Sequence, residues 1–330
     1  MKTHKEKTYD KKTTKAGLDF VQFHQYLCSR CFKQIIFTDK PVPQGVLTTD
    51  FSDNGSNEIV GWEELIDNVS TWFISSQKRG IKIKAPKRIS YMFGTFRLEP
   101  EGGVLNFTHS NDWLGLIELI DVSNLDVSQV EDFDGVFAYC GFKSKRFEIR
   151  GLETWKTSNA NSMVNMFMFT GENSEEVTFD VSYFNTKKVE DFSNMFYGCG
   201  KKATNWHIGF LDGWDVSNSI TMYGMFNMAG ENAKCWSIGD ISSWDVSNVT
   251  TMRNMFSEAG KNAETWYVGN ISKWNTESVS DMSGMFNETG QEANFKLDLS
   301  KWKVGNVQSF FNFAVSCFFK IQQPIWPAEA

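Results

Sequence analysis

The sequence predicts an α/β repeat protein: about seven to eight units of ~30 residues, each a strand, a turn and a short helix, with non-repeating caps. Three observations carry this. Large side chains recur just before DVSN-like turns, at Leu125, Trp155, Phe184, Trp214, Trp244, Trp274 and Trp302, spaced 28 to 30 residues apart. A second column follows at Phe137, Phe167, Phe196, Phe226, Phe256 and Phe286. A glycine column keeps the same period at Gly141, Gly171, Gly200, Gly230, Gly260 and Gly290. Phe and Trp are abundant, 29 and 12 in 330 residues, as a column-stacked core requires.

The elements follow in chain order. Residues 1–15 form a flexible basic arm, with six lysines against Glu6 and Asp10, although the whole chain carries −7. The acidic body argues against nucleic acid as a partner, because phosphate contacts dominate that affinity. Residues 16–80 do not repeat and read as an N-terminal cap. Within it, 17–37 is apolar, a helix or a strand pair. KPVPQG (40–45) is a turn, and 48–58 reads as a loop. Residues 58–75 read as an amphipathic helix, with Val60, Leu65, Val69, Trp72 and Phe73 to one side. Lys78, Arg79, Lys82, Lys84, Lys87 and Arg88 form a second basic cluster, a candidate electrostatic docking surface. Residues 81–117 hold a degenerate first repeat and a connection, with Ile89, Met92 and Phe93 in the columns.

The repeat array runs over 118–317 and is clearest at 236–265. Ile238, Ile241, Trp244, Val246 and Val249 have a short period and read as an extended strand and turn. Met252, Met255, Phe256 and Ala259 are spaced as on a helix, and Gly260 sits where a helix C-cap belongs. Trp206, Trp236 and Trp266 make a further column. The methionines at 222, 225, 252, 255, 282 and 285 are expected as core filler. Residues 304–314 are a degenerate last unit. Residues 318–330 are a tail, and the Phe-rich stretch 310–319 is expected to close the far end or to mediate self-association.

Catalytic patterns are absent: there is no HExxH, GxSxG, Walker A or helix-opening GxGxxG. His24, Cys28 and Cys31 offer three zinc ligands at most, and one CxxC is a weak signal. Asp180, Asp240, Asn270 and Asp298 form a ladder without the oxygen cluster calcium needs. No cofactor or metal is expected. Cys140, Cys199 and Cys235 read as small core residues, and the sequons at Asn248 and Asn270 fall within the repeats. Alternation leaves Asp126, Lys156, Asn185, Lys187, Asp215, Ser217, Asp245, Ser247, Asn275, Glu277 and Lys303 outward on the expected strand face. They are the candidate partner-binding residues.

The strings SSWDVSNVTTMRNMF (242–256), DGWDVSNSITMYGMF (212–226) and SKWNTESVSDMSGMF (272–286) resemble the BspA-like leucine-rich-repeat proteins, with their mycoplasma-lipoprotein-type repeat. The resemblance covers 118–317. It implies a leucine-rich-repeat-like solenoid and a role in adhesion or protein binding. Two departures stand out: the unit is about 30 residues, longer than the family's, and no lipobox cysteine precedes it.

The expectation is a non-enzymatic scaffold that recognises a protein, or alternatively a glycan, through its strand face. The alternatives are a structural component of a virion or surface layer attached through its termini, and a surface adhesin. No secretory signal or membrane span is evident, so the expected location is cytoplasmic, with virion or cell surface as the alternative.

Overall fold

A computed structural model describes residues 13–94, 114–317 and 320–327. They form short strands, three 3₁₀ turns and a single α-helix, with no closed barrel. The expectations for 1–12, the connection at 95–113, Phe318–Phe319 and 328–330 lie outside the described residues.

The cap comes first. Strand β1 is Thr13–Gly17 and helix α1 is Phe20–Cys28. Asp19 caps α1 by accepting the Gln22 N–H at 3.0 Å. Five strands follow: β2 (Gln34–Thr38), β3 (Thr49–Asp50), β4 (Val60–Ile66), β5 (Val69–Ser75) and β6 (Lys82–Lys84). The helix expected over 58–75 is instead the β4–β5 hairpin. Asp67 and Asn68 both take positive φ, 49° and 65°, which a two-residue hairpin turn requires and these residue types tolerate. Trp62 stacks on Phe73 across the hairpin at 5.2 Å. Residues Thr13–Lys15, expected in a flexible arm, belong to β1. That strand pairs in parallel with β6, Thr13 opposite Lys82 and Gly17 opposite Lys84.

Strands β7 (Leu119–Asp121) and β8 (Leu125–Asp126) begin the repeats. Thereafter each unit gives one strand: β9 (Arg146–Arg150), β10 (Glu176–Thr178), β11 (Asn205–His207), β12 (Cys235–Ser237), β13 (Thr265–Tyr267) and β14 (Lys296–Asp298). β15 (Lys320–Gln322) pairs with β14. One sheet runs β11-β10-β9-β7-β2-β5-β4-β3, so backbone bonds join cap and repeats. Parallel single bridges add a second seam through Arg88, Asp132, Ser162, Asp191, Thr221, Thr251, Asp281 and Ser309.

The rings stack along the same direction. Phe93, Phe137, Phe167, Phe196, Phe226, Phe256 and Phe286 form a column with steps of 5.3–5.5 Å. Trp155, Phe184, Trp214, Trp244, Trp274 and Trp302 form another at 6.1–6.5 Å. Trp206, Trp236 and Trp266 form a third, at 5.6 and 5.0 Å. All are buried, as are the six methionines. Offset stacking of this kind adds about 0.5–1.5 kcal/mol per pair beyond burial.

The short helices expected in each unit do not form. Residues 250–262 are a ribbon of overlapping turns. Met255 N–H donates to Met252 O, Ser257 to Asn254 O, and Ala259 to Phe256 O. Between these, the N–H groups of Met252, Asn254, Phe256 and Glu258 donate to the next unit, at Asp281, Ser283, Met285 and Asn287. Asn254, Glu258 and Gly260 have φ of 54°, 56° and 51°. An α-helix cannot run through left-handed residues, so Gly260 is no helix cap but one more turn residue.

Trp244 links these features. It is 3% exposed, stacks on rings in both neighbouring units and donates Nε1–H to Leu211 O at 3.0 Å. Trp244→Ala is expected to cost about 3–5 kcal/mol in stability, read as a lowered urea midpoint. The exposed control Phe210→Ala is expected to shift stability by under about 0.5 kcal/mol.

Candidate functional site

Three surfaces merit attention. The first is the edge expected to be a strand face. Among its candidates only Asp126 lies in a strand. Lys156, Asn185, Lys187, Asp215, Ser217, Asp245, Ser247, Asn275, Glu277 and Lys303 lie on turns that follow the tryptophan column, and most are exposed. Many are turn builders. Asp215 Oδ1 accepts the Ser217 N–H at 3.1 Å and its hydroxyl at 2.6 Å. Asp245 accepts the Ser247 N–H at 3.0 Å, and Asn185 accepts the Lys187 N–H at 3.2 Å. The Asp215 carboxyl is accordingly held below the ordinary carboxylate range by its Ser217 hydrogen bonds. Lys303 pairs with Glu277 at 2.9 Å.

An asparagine ladder stitches the same edge. Asn159, Asn218, Asn248 and Asn306 donate Nδ2–H to Ser128, Lys187, Ser217 and Glu277 carbonyls, each one unit back. The sequon asparagine Asn248 is thus engaged. Asp180, Asp240, Asn270 and Asp298 form the same local turns, each accepting an N–H two residues on. Their spacing reflects turn chemistry.

The second surface is the actual strand face. The strands are displaced about eight residues from the expected position, so Trp206, Trp236 and Trp266 are their buried centres. The flanking residues point outward: Asn205 and His207, Cys235 and Ser237, Thr265 and Tyr267. Cys235, expected as a core residue, is exposed. The pattern alternates around each tryptophan, a period-two signal that the stronger DVSN motif obscured. Tyr267 is 46% exposed, Phe210 54% and Tyr183 68%. Phe210 packs edge-on to His207 at 6.3 Å. Its N–H donates to the Ser182 hydroxyl at 2.8 Å.

The third surface is basic. Because β1 pairs with β6, Lys15 joins the cluster of Lys78, Arg79, Lys82, Lys84, Lys87 and Arg88. Lys82 Nζ donates to Thr154 Oγ1 at 3.0 Å, and Lys87 pairs with Glu131 at 3.2 Å.

The buried titratable groups serve the array. Cys140 and Cys199 are wholly buried, and burial pushes the Cys199 thiol up to about 12. Cys140 Sγ donates to Phe93 O at 2.8 Å. His24 Nε2 lies 3.5 Å from Cys28 Sγ and its Nδ1 3.2 Å from Met92 O, while Cys31 is exposed. No group of three His, Cys, Asp or Glu is placed to hold a metal ion among the described residues. No helix among them is long and apolar enough to cross a membrane.

Asp134 is the notable acid. It accepts the Ser162 hydroxyl at 2.5 Å and the Val164 N–H at 2.9 Å, both from the next unit. Burial, with smaller contributions from Asp132 and Asp191, raises it to about 6. A carboxyl raised from 3.8 on folding stabilises the fold below pH 4, and that stabilisation is lost as pH rises through 6. Asp134→Asn keeps both acceptor contacts and removes the charge. It is expected to flatten this dependence, so its Tm exceeds the wild type's at pH 8 by more than at pH 4, measured by circular dichroism.

A family model described as Mycoplasma protein of unknown function, DUF285, matches residues 107–237 and 228–325. No curated protein and no solved structure matches the chain.

Proposed function

This chain belongs to the family Mycoplasma protein of unknown function, DUF285, and on that premise we propose a non-enzymatic protein-binding scaffold. In this reading the units wind as a solenoid of the BspA-like leucine-rich-repeat type, and a protein partner docks on the strand face. The supporting observation is exposed aromatic side chains, His207, Phe210 and Tyr267, on or next to strands whose central tryptophans are buried. Aromatic side chains are enriched in the cores of protein interfaces and at their hot spots, because they bury much area with little loss of rotamer freedom. The turn edge is the weaker candidate, since its Asp and Asn side chains are occupied by local hydrogen bonds.

A second reading is a structural part of a larger assembly, attached by its ends. It draws on Phe311, Val315 and Ile325, which are 76%, 51% and 91% exposed near the last unit. Self-association belongs to this reading.

The two separate in one experiment. The tagged protein is used to recover partners from source cells, beside Phe210→Ala/Tyr267→Ala and Asp215→Arg/Asp245→Arg variants. Light scattering reports each variant's own oligomeric state. A stoichiometric partner retained by the Arg variant and lost from the Ala variant is the expected result. Loss only from the Arg variant moves recognition to the turn edge. Self-association or a multi-protein particle indifferent to both variants overturns the proposal in favour of the structural reading.

A further inference from the structure

A cavity lies where the N-terminal segment meets the first repeats. Its volume is about 260 Å³, and Lys15, Asp53, Lys84, Pro86, Lys87 and Gln129 line it. At ~30 Å³ per water this is room for roughly nine waters, below the size of a drug-like pocket.

The charge in the cavity is the product of the fold. Lys15 lies on β1, Lys84 on β6, and Lys87 just beyond it, so parallel pairing of two distant segments sets three ammonium stems around one space. All three lysines are exposed, so no buried contact in the core requires their charge. Nearby acids offset them only in part. Lys87 pairs with Glu131 at 3.2 Å. Glu58 accepts the backbone N–H groups of Lys15 and Ala16 at 3.1 and 2.9 Å. Asp53 is the one carboxylate in the lining, held by its own N–H donating to Gly17 O at 2.9 Å. There its side chain leaves no room for a β-carbon on Gly17, which would stand 2.6 Å from Asp53 Oδ2.

We infer that this cavity binds a small phosphomonoester that carries a hydroxyl group. A phosphomonoester holds close to two negative charges at neutral pH, which suits two or three lysines acting as point charges. Asp53 accepts from the ligand's hydroxyl, and Gln129 offers an amide beside it. The phosphate group comes either from a free phosphorylated polyol or from a lipid headgroup at a membrane surface.

Calorimetric titration of the full-length protein with glycerol phosphate and with inorganic phosphate tests this. Saturable binding is expected, weakened about tenfold in Lys84→Gln and in Lys15→Gln. Asp53→Asn is expected to tighten inorganic phosphate several-fold by removing a like charge. Lys301→Gln, in the last units of the array, is expected to bind as wild type. Circular dichroism verifies that each exposed-site variant is folded. Sedimentation with phosphatidylcholine vesicles doped with phosphatidic acid separates the sources. Co-sedimentation lost in the same lysine variants identifies a headgroup, and binding of glycerol phosphate without co-sedimentation identifies a soluble ester. Absence of saturable binding by both phosphates, or affinity unchanged in folded Lys84→Gln, overturns the inference.

Discussion

A ribbon of turns cannot satisfy its own backbone. Every second N–H between Met252 and Glu258 has no carbonyl within its unit and takes one from the unit ahead. Gly260, Asn262 and Glu264 donate to the unit behind, at Ala229, Glu231 and Lys234. Buried backbone donors left unpaired cost about as much as a lost hydrogen bond each. A unit therefore has no stable existence apart from its neighbours, and the rest of the structure answers to that. The repeat length stays within 28 to 30 residues because rings and carbonyls must meet their counterparts in the same phase. The cap joins the array through the β2–β7 pairing, which gives the first unit a backbone neighbour.

This constraint divides the side chains by task. Those facing along the stack are fixed: the rings, the methionines, and hydroxyls such as Thr170 and Thr289, which bond Phe137 and Phe256 carbonyls at 2.7 and 2.6 Å. Ion pairs strengthen the corner, where Lys261 lies between Glu258 and Glu288 and its ammonium is held above the usual lysine range, chiefly by Glu288. These pairs are half-buried, and such near-surface pairs contribute little individually. Positions pointing away from the stack escape all these demands. There His207, Ser237 and Tyr267 differ from unit to unit while the tryptophan between them and the core does not.

The repeat phase and its ring columns were legible in the sequence because each leaves a periodic trace. The local conformation was less so. Spacings of three and four at Met252, Met255, Phe256 and Ala259 arise from overlapping turns as readily as from a helix, and only the left-handed residues distinguish them. Asn254 is of a type that tolerates that conformation, but Glu258 carries no mark of it. Two tryptophans in each of three units gave two places for the strand, and the more regular motif at Trp244 drew it from Trp236, where it lies. Val60–Ser75 scans with an apolar side at both periods, and Asp67–Asn68 decides for the hairpin. The meeting of Lys15 with Lys84 depends on pairing between segments some seventy residues apart, which no local pattern records.

The two-way donation between units has an evolutionary consequence. A duplicated segment such as 236–265 presents, at each boundary, the same donors, acceptors and ring faces as the segment it copies. Whole-unit duplication or loss by recombination is thus structurally neutral in the interior of the array. Lineages of this protein are free to change the number of outward-facing positions in quanta of one unit, lengthening or shortening the displayed surface while the chemistry of its interior stays unchanged.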